Sequence, residues 1–201
     1  MSSHHTPAHV AGHTASKARA DGLLAAFEPR PVATRCGTPS YVVAREVVHD
    51  ALAALRAGGY EVLSFITAVD RLSIADGRVP QGRARFLLVH QIEVLDTAEA
   101  VRVETELTEA DATAPTVTDL WPGASFMERE VYDMFGIRFD GHPNLTRLLM
   151  PDGYGHHPLR KEFPHQGIEP DRLYREWDER RRAQDPSVPP EEQAPSPFQR
   201  R

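Results

Sequence analysis

The chain has 201 residues and a formal net charge of −6, with a pI of about 5.9. Its length suits one principal α+β domain with extended ends, and its acidic balance argues against a nucleic-acid groove, which gathers positive charge on one face. The single cysteine, Cys36, excludes an internal disulfide and cannot supply the four protein ligands an iron–sulfur cluster normally takes. No apolar run approaches the roughly 20 residues of a membrane helix, and the first residues lack a secretory signal, so any membrane association is expected to pass through partners.

Residues 1–16 are polar and His-rich, which predicts a flexible tail. His4, His5, His9 and His13 have nothing around them that preorganises a metal site. Residues 17–27 suit a short helix, with Leu23, Leu24 and Phe27 on a partial apolar face and Pro29 and Pro31 ending it. YVVA at 41–44 reads as a strand and 44–57 as an amphipathic helix. In that helix Val47, Val48, Ala51, Leu52 and Leu55 recur at helical spacing before the Gly58–Gly59 stop. Residues 60–70 are rich in β-branched and aromatic side chains and predict a strand, followed by a loop through Asp76, Gly77, Pro80 and Gly82.

The strand expected over 83–95 places Phe86, Leu88, His90 and Ile92 on one face and Leu87, Val89 and Gln91 on the other. Residues 101–107 alternate, with Val101, Val103, Thr105 and Leu107 inward and Arg102, Glu104 and Glu106 toward water. A short turn between these two strands favours an antiparallel hairpin. Helices covering one face then give an α+β fold, a small mixed or antiparallel sheet packed with helices, in which the pattern leaves the strand order open.

After Pro115 the chain changes character. The organisation expected is an α+β domain over 17–115, a signature helix and partner-docking segment over 116–165, and a C-terminal extension over 166–201. Ser125 stands three residues before Glu128, the capping-box spacing. Met127, Val131, Met134 and Phe135 form an apolar stripe, and Gly136 suits a left-handed stop. Arg129 and Asp133 are spaced to pair along the helix, and Glu130 and Asp133 share a face. Two close carboxylates can serve as acid and base or bind a cation. The preferred reading is that arginines hold them, with Arg129, Arg138 and Arg147 as candidates.

His142, His156, His157 and His165 are scattered among prolines and glycines and form no metal array. Pro143, Pro151, Pro158 and Pro164 imply an irregular path that a partner would bury through Met150, Leu159 and Phe163, while Arg160 and Lys161 pair with its carboxylates. Residues 170–182 suit a final helix with Leu173, Tyr174 and Trp177 among charges. The candidate docking residues are Glu128, Arg129, Glu130, Asp133, Arg138, His142, Arg147, Arg160 and Lys161.

The run EREVYDMFGIRFDGHPNLTRLLMPDGYGHHPLRKEFP at 128–164, with the preceding TDLWPGASF and FITAVD at 65–70, resembles the 30-kDa, or C-type, subunit of respiratory complex I, the NADH–quinone oxidoreductase. Asn144 and Thr146 depart from the Asp and Arg common in that family. The resemblance implies a non-catalytic subunit of the peripheral arm, on the cytoplasmic side of a bacterial plasma membrane. It implies no cofactor on this chain, with FMN and iron–sulfur clusters in partner subunits, and as neighbours the quinone-site (49-kDa, D-type) subunit and nearby iron–sulfur subunits. The competing classes are the equivalent subunit of a membrane-bound hydrogenase or other-donor oxidoreductase, an independent carboxylate- or metal-dependent enzyme, and a nucleic-acid module.

Overall fold

A sheet of five strands organises the computed structural model of the chain, which describes residues 8–97, 99–151, 153–164 and 180, with side chains from Ser16 onward. The chain divides into two units, Met1–Phe163 and Pro164–Arg201, and every element named below belongs to the first. The helix expected over 170–182 and the extension over 166–201 lie, apart from Arg180, outside the described residues.

The strands are β1 (Arg30–Val32), β2 (Ser40–Val42), β3 (Val62–Asp70), β4 (Phe86–Glu93) and β5 (Ala100–Leu107), ordered β1-β2-β5-β4-β3. β3, β4 and β5 form an antiparallel meander with Ile66 opposite His90 and His90 opposite Val103, in keeping with the alternation and the short turn. β2 pairs parallel to β5, and β1 is antiparallel to β2 at the sheet edge. β1 escapes the sequence pattern because it holds only three residues and contains Pro31, which is tolerated on an edge strand whose N–H side needs no partner. A second, two-stranded sheet pairs β6 (Thr113–Pro115) parallel with β7 (Arg138–Asp140).

The helices are α1 (Ala8–Leu24), α2 (Val48–Ala57) and α3 (Ala124–Phe135). One face of the sheet is buried under them. Phe86, Leu88, Ile92, Val101, Val103 and Leu107 join Leu52 and Leu55 of α2 and Val131 and Phe135 of α3 in one continuous core. Burying a side chain of this size stabilises by about 1.5–3 kcal/mol relative to exposure. His90 lies in this core with both ring nitrogens unpartnered among the described residues, and Thr105 is buried nearby with its hydroxyl likewise unpartnered there. Burial pushes the His90 pKa down to about 4.

Two expectations are corrected. Residues 8–16, expected as tail, form the first turns of α1. Ser16, Ala20 and Leu24 are fully buried at helical spacing, and Ser16 Oγ donates to Ala100 O at 2.8 Å. Of these, Ser16 is polar and Ala20 small, so the sequence shows no apolar stripe ahead of Leu23 and Leu24. Glu104, expected to face water, is nearly buried because β2 lies beside β5 and Ser40 Oγ donates to the carboxylate at 2.7 Å.

Candidate partner-docking site

The irregular segment after α3 is held by the end of that helix. An α-helix leaves its last four carbonyls without intrahelical partners, and here residues 147–160 supply the donors. Asp133 O accepts from His157 Nδ1 at 2.9 Å and from Arg147 Nη1 at 3.3 Å. Met134 O accepts from Leu159 N at 3.1 Å, and Phe135 O accepts from Arg160 Nε at 2.6 Å. Two guanidiniums at a helix C-terminus also complement its dipole. Gly136 ends the helix at φ 77°, as expected. A Cβ at this position would meet Arg160 Nη2 and His157 Nε2, each at 2.6 Å, so glycine serves both the turn and the close packing of the returning chain.

Asp133 is the centre of this arrangement. Its side chain is fully buried. Oδ2 accepts the backbone N–H groups of Leu148, Leu149 and Met150 at 3.0, 2.7 and 2.8 Å, and Oδ1 accepts Arg147 Nη1 at 2.5 Å. Burial alone would raise this carboxyl. The hydrogen bonds from Met150, Leu149, Arg147 and Leu148 outweigh it and hold the group below its ordinary value.

A second carboxylate holds the far end of the segment. Asp70, at the end of β3, forms a bidentate pair with Arg85 at 3.2 and 3.0 Å and accepts the backbone N–H of Leu72 at 3.0 Å and of Lys161 at 2.9 Å. Arg85 also binds Glu109 and Glu162. Burial would raise the Asp70 carboxyl, but Arg85 and the two backbone donors keep it lowered.

Glu128 works in the other direction, on the loop that enters α3. It is fully buried and accepts Val117 N–H at 2.7 Å and Thr116 Oγ1–H at 2.6 Å. Burial raises its pKa against those two bonds. The capping box is therefore not formed. The helix begins at Ala124, Gly123 is the N-cap and no side chain caps it. Ser125, already inside the helix, instead meets His142, whose Nε2 lies 3.2 Å from both Ser125 Oγ and Ser125 O. Because Asn144 N–H donates to His142 Nδ1 at 3.0 Å, the ring carries its proton on Nε2 and donates it to Ser125.

The Arg129–Asp133 pair expected along the helix does not form. Arg129 donates to Thr146 O at 3.0 Å and Arg147 O at 2.8 Å. Of Arg129, Arg138 and Arg147, only Arg147 holds a carboxylate among the described residues. Arg138 is exposed, and its side chain has no partner among the described residues. Glu130 is likewise exposed and unpartnered there, whereas both Asp133 oxygens are occupied. Glu130 and Asp133 therefore share no partner among the described residues. Arg160 is turned inward onto Phe135 O, while the Lys161 side chain is exposed. Asp70 carries a sequence signal as the terminal residue of FITAVD, but Arg85 carries none, since its partners stand 15, 24 and 77 residues away.

The pinned backbone presents large apolar groups to solvent. Phe126, Leu149 and Leu159 are 61%, 62% and 51% exposed. They surround α3: the Arg129 guanidinium lies 6.0 Å from the Phe126 ring, Leu149 N–H binds Asp133 and Leu159 N–H binds Met134. Met150, by contrast, packs against the core. Among the described residues no group of three or more His, Cys, Asp or Glu could hold a metal ion, and no helix is long and apolar enough to cross a membrane.

Residues 41–169 match the family model described as respiratory-chain NADH dehydrogenase, 30 Kd subunit. The C-type subunit of the NADH-quinone oxidoreductase of Citrifermentans bemidjiense is 42% identical over 137 residues, covering 68% of this chain and 79% of that protein. The C/D-type subunit of the Pseudomonas fluorescens enzyme is 42% identical over 140 residues, covering 68% of this chain but 23% of that protein. The chain thus spans about a quarter of the length of the C/D relatives it matches. A solved trypsin-resistant fragment of Nqo5 superposes with a TM-score of 0.54 at 33% identity, over 68% of this chain and 99% of the fragment. A chain of an archaeal membrane-bound sulfane sulfur reductase superposes with a TM-score of 0.60 at 20% identity, over 87% of this chain and 94% of its own length, and shares the fold. With the family model matched over well more than half of its residues, the chain belongs to the respiratory-chain NADH dehydrogenase 30-kDa subunit family.

Proposed function

We propose that the chain is a non-catalytic assembly subunit in the peripheral arm of a proton-translocating NADH:quinone oxidoreductase. NADH oxidation on FMN, the iron–sulfur relay and quinone reduction belong to partner subunits, and this chain holds them in place. The arm lies against the cytoplasmic side of the plasma membrane, and this chain meets the membrane only through its partners.

The observation that carries the reading is the exposure of Phe126, Leu149 and Leu159 on backbone that Asp133 and the end of α3 hold rigid. Exposed apolar anchors on fixed backbone bury area on docking at little conformational cost. Glu130, Arg138 and Lys161 supply charges at the rim, where they set register and encounter rate more than affinity. Glu128, Arg129, Asp133, His142, Arg147 and Arg160 act behind that surface by shaping it. The quinone-site, D-type subunit is the favoured neighbour, because relatives named C/D carry the counterpart of this chain within one longer polypeptide.

The test is affinity isolation through this chain after gentle detergent extraction, with mass spectrometry of what accompanies it. Quinone-site, iron–sulfur and flavin subunits are expected together. Leu149→Asp with Leu159→Asp is expected to weaken that association about a hundredfold, since each anchor contributes roughly 1.5 kcal/mol or more. Recovery of the chain alone, under conditions that keep a known respiratory complex intact, would refute the reading.

A further inference from the structure

On the face of the sheet turned away from the core cluster, Leu87 and Val89 of β4 are buried while Val69 of β3 is about half exposed. In register across that face run Val69 of β3, Leu87 of β4 and Glu106 of β5. Glu106 is surrounded by arginines from two other places in the fold. Arg71 Nη1 lies 2.8 Å from Glu106 Oε1, Arg83 Nη1 3.4 Å and Arg30 Nη2 3.5 Å. Arg30 belongs to β1, while Arg71 and Arg83 flank the loop between β3 and β4. Burial would raise the Glu106 carboxyl, but Arg71, Arg83 and Arg30 hold it below its ordinary value.

Three guanidiniums thus gather on one carboxylate, with the Glu104 carboxylate, held by Ser40, two residues along the same face of β5. The neighbouring Arg85 shows the opposite balance, one guanidinium shared by Asp70, Glu109 and Glu162. Arg30 and Arg83 are about half exposed and Arg71 is mostly buried, giving one fixed donor between two reachable ones. Beside the cluster lie exposed aliphatic groups: Val69 is 46% and Ile74 68% exposed.

We infer that this face is a second docking surface, on which Arg30, Arg71 and Arg83 receive the carboxylates of an acidic partner segment while Val69 and Ile74 take its apolar side chain. The inference rests on the assembly role proposed above, but the surface is distinct from the one around α3. Charge complementarity selects the occupant. Guanidiniums bind carboxylates bidentately, and like-charged groups held together repel unless a counter-charge arrives. An anionic lipid surface fits less well, because a chain of net charge −6 is repelled by it as a whole.

The experiment places a photo-crosslinking amino acid at Val69 in the assembled complex, with Leu149 as a parallel site, and sequences the crosslinked peptides. Position 69 is expected to capture an Asp- or Glu-rich peptide of a partner subunit. Arg30→Glu with Arg83→Glu is expected to cut that yield about tenfold and leave the yield at position 149 unchanged. Capture at 149 with none at 69 overturns the second surface while sparing the assembly role. A lipid adduct, or a peptide without acidic residues, at 69 overturns it as well. Capture at neither position overturns both.

Discussion

Replacing Asp133 by Asn keeps the shape of the side chain and removes its charge. Asp133 Oδ2 takes three backbone N–H groups and Oδ1 takes Arg147. An amide offers one acceptor oxygen, so its NH2 must face either the three N–H groups or the guanidinium. Breaking a buried ion pair from one side costs about 3–5 kcal/mol, and Arg147 is slightly exposed, so we expect about 3 kcal/mol. That is a large share of a domain stability of roughly 5–15 kcal/mol, but it acts on one segment. Amide hydrogen exchange reads it directly. A loss of about 3 kcal/mol corresponds to roughly a hundredfold faster exchange at Leu148, Leu149 and Met150, with the amides of β4 unchanged. The wild-type chain should lose the same protection in acid. The Asp133 carboxyl is lowered in the folded state, so its contribution is full above the unfolded value near 3.9 and disappears as pH falls through the folded one. Exchange at the three amides within about threefold of wild type in Asp133→Asn would refute the assignment of Asp133 as the organiser.

Two further outcomes follow from named contacts. His90 has a folded pKa of about 4 against an unfolded value near 6.5, so below pH 6.5 the unfolded state binds the extra proton and stability falls as pH drops from about 6.5 to 4. The limit is about 1.4 kcal/mol per pH unit, or about 3 kcal/mol over the window. Urea titrations at several pH values should show this slope, and His90→Leu should remove it and raise stability by about 1–3 kcal/mol, because two unpartnered nitrogens leave the core; an unchanged slope would contradict it. Gly136→Ala places a side chain at φ 77° against Arg160 and His157 and should cost at least about 1–2 kcal/mol, read as a melting temperature roughly 2–8 °C lower; wild-type melting would contradict it.

What the sequence disclosed and what it hid follow one physical line. α3 with its Gly136 stop, and the inward faces of β4 and β5, are repeated local patterns, so periodicity exposes them. β1, β6 and β7 hold three residues each, too few for any period, and exist because a neighbour pairs with them. α1 hides its first turns because Ser16 and Ala20 bury little apolar surface. Among the candidate residues Arg147 does hold Asp133, but the helical pair of Arg129 with Asp133 does not form. Spacing suggested Arg129 for Asp133, whereas the returning chain delivers Arg147 and three peptide N–H groups. Glu128 sits at the capping-box position yet turns inward to Val117. Helical spacing reports who can be neighbours along one element, and these contacts are made between elements.

The parallel pairing of β2 with β5 sets an order of events during synthesis. Ser40 pairs opposite Arg102, so when the β1–β2 ribbon leaves the ribosome its partner strand does not yet exist. The ribbon and α2 must wait for β5, and isolated two-stranded ribbons are at best marginally stable in water. The stretch through β2 and α2 is therefore exposed to chaperones and proteases until residue 107 has emerged and the sheet can close around it.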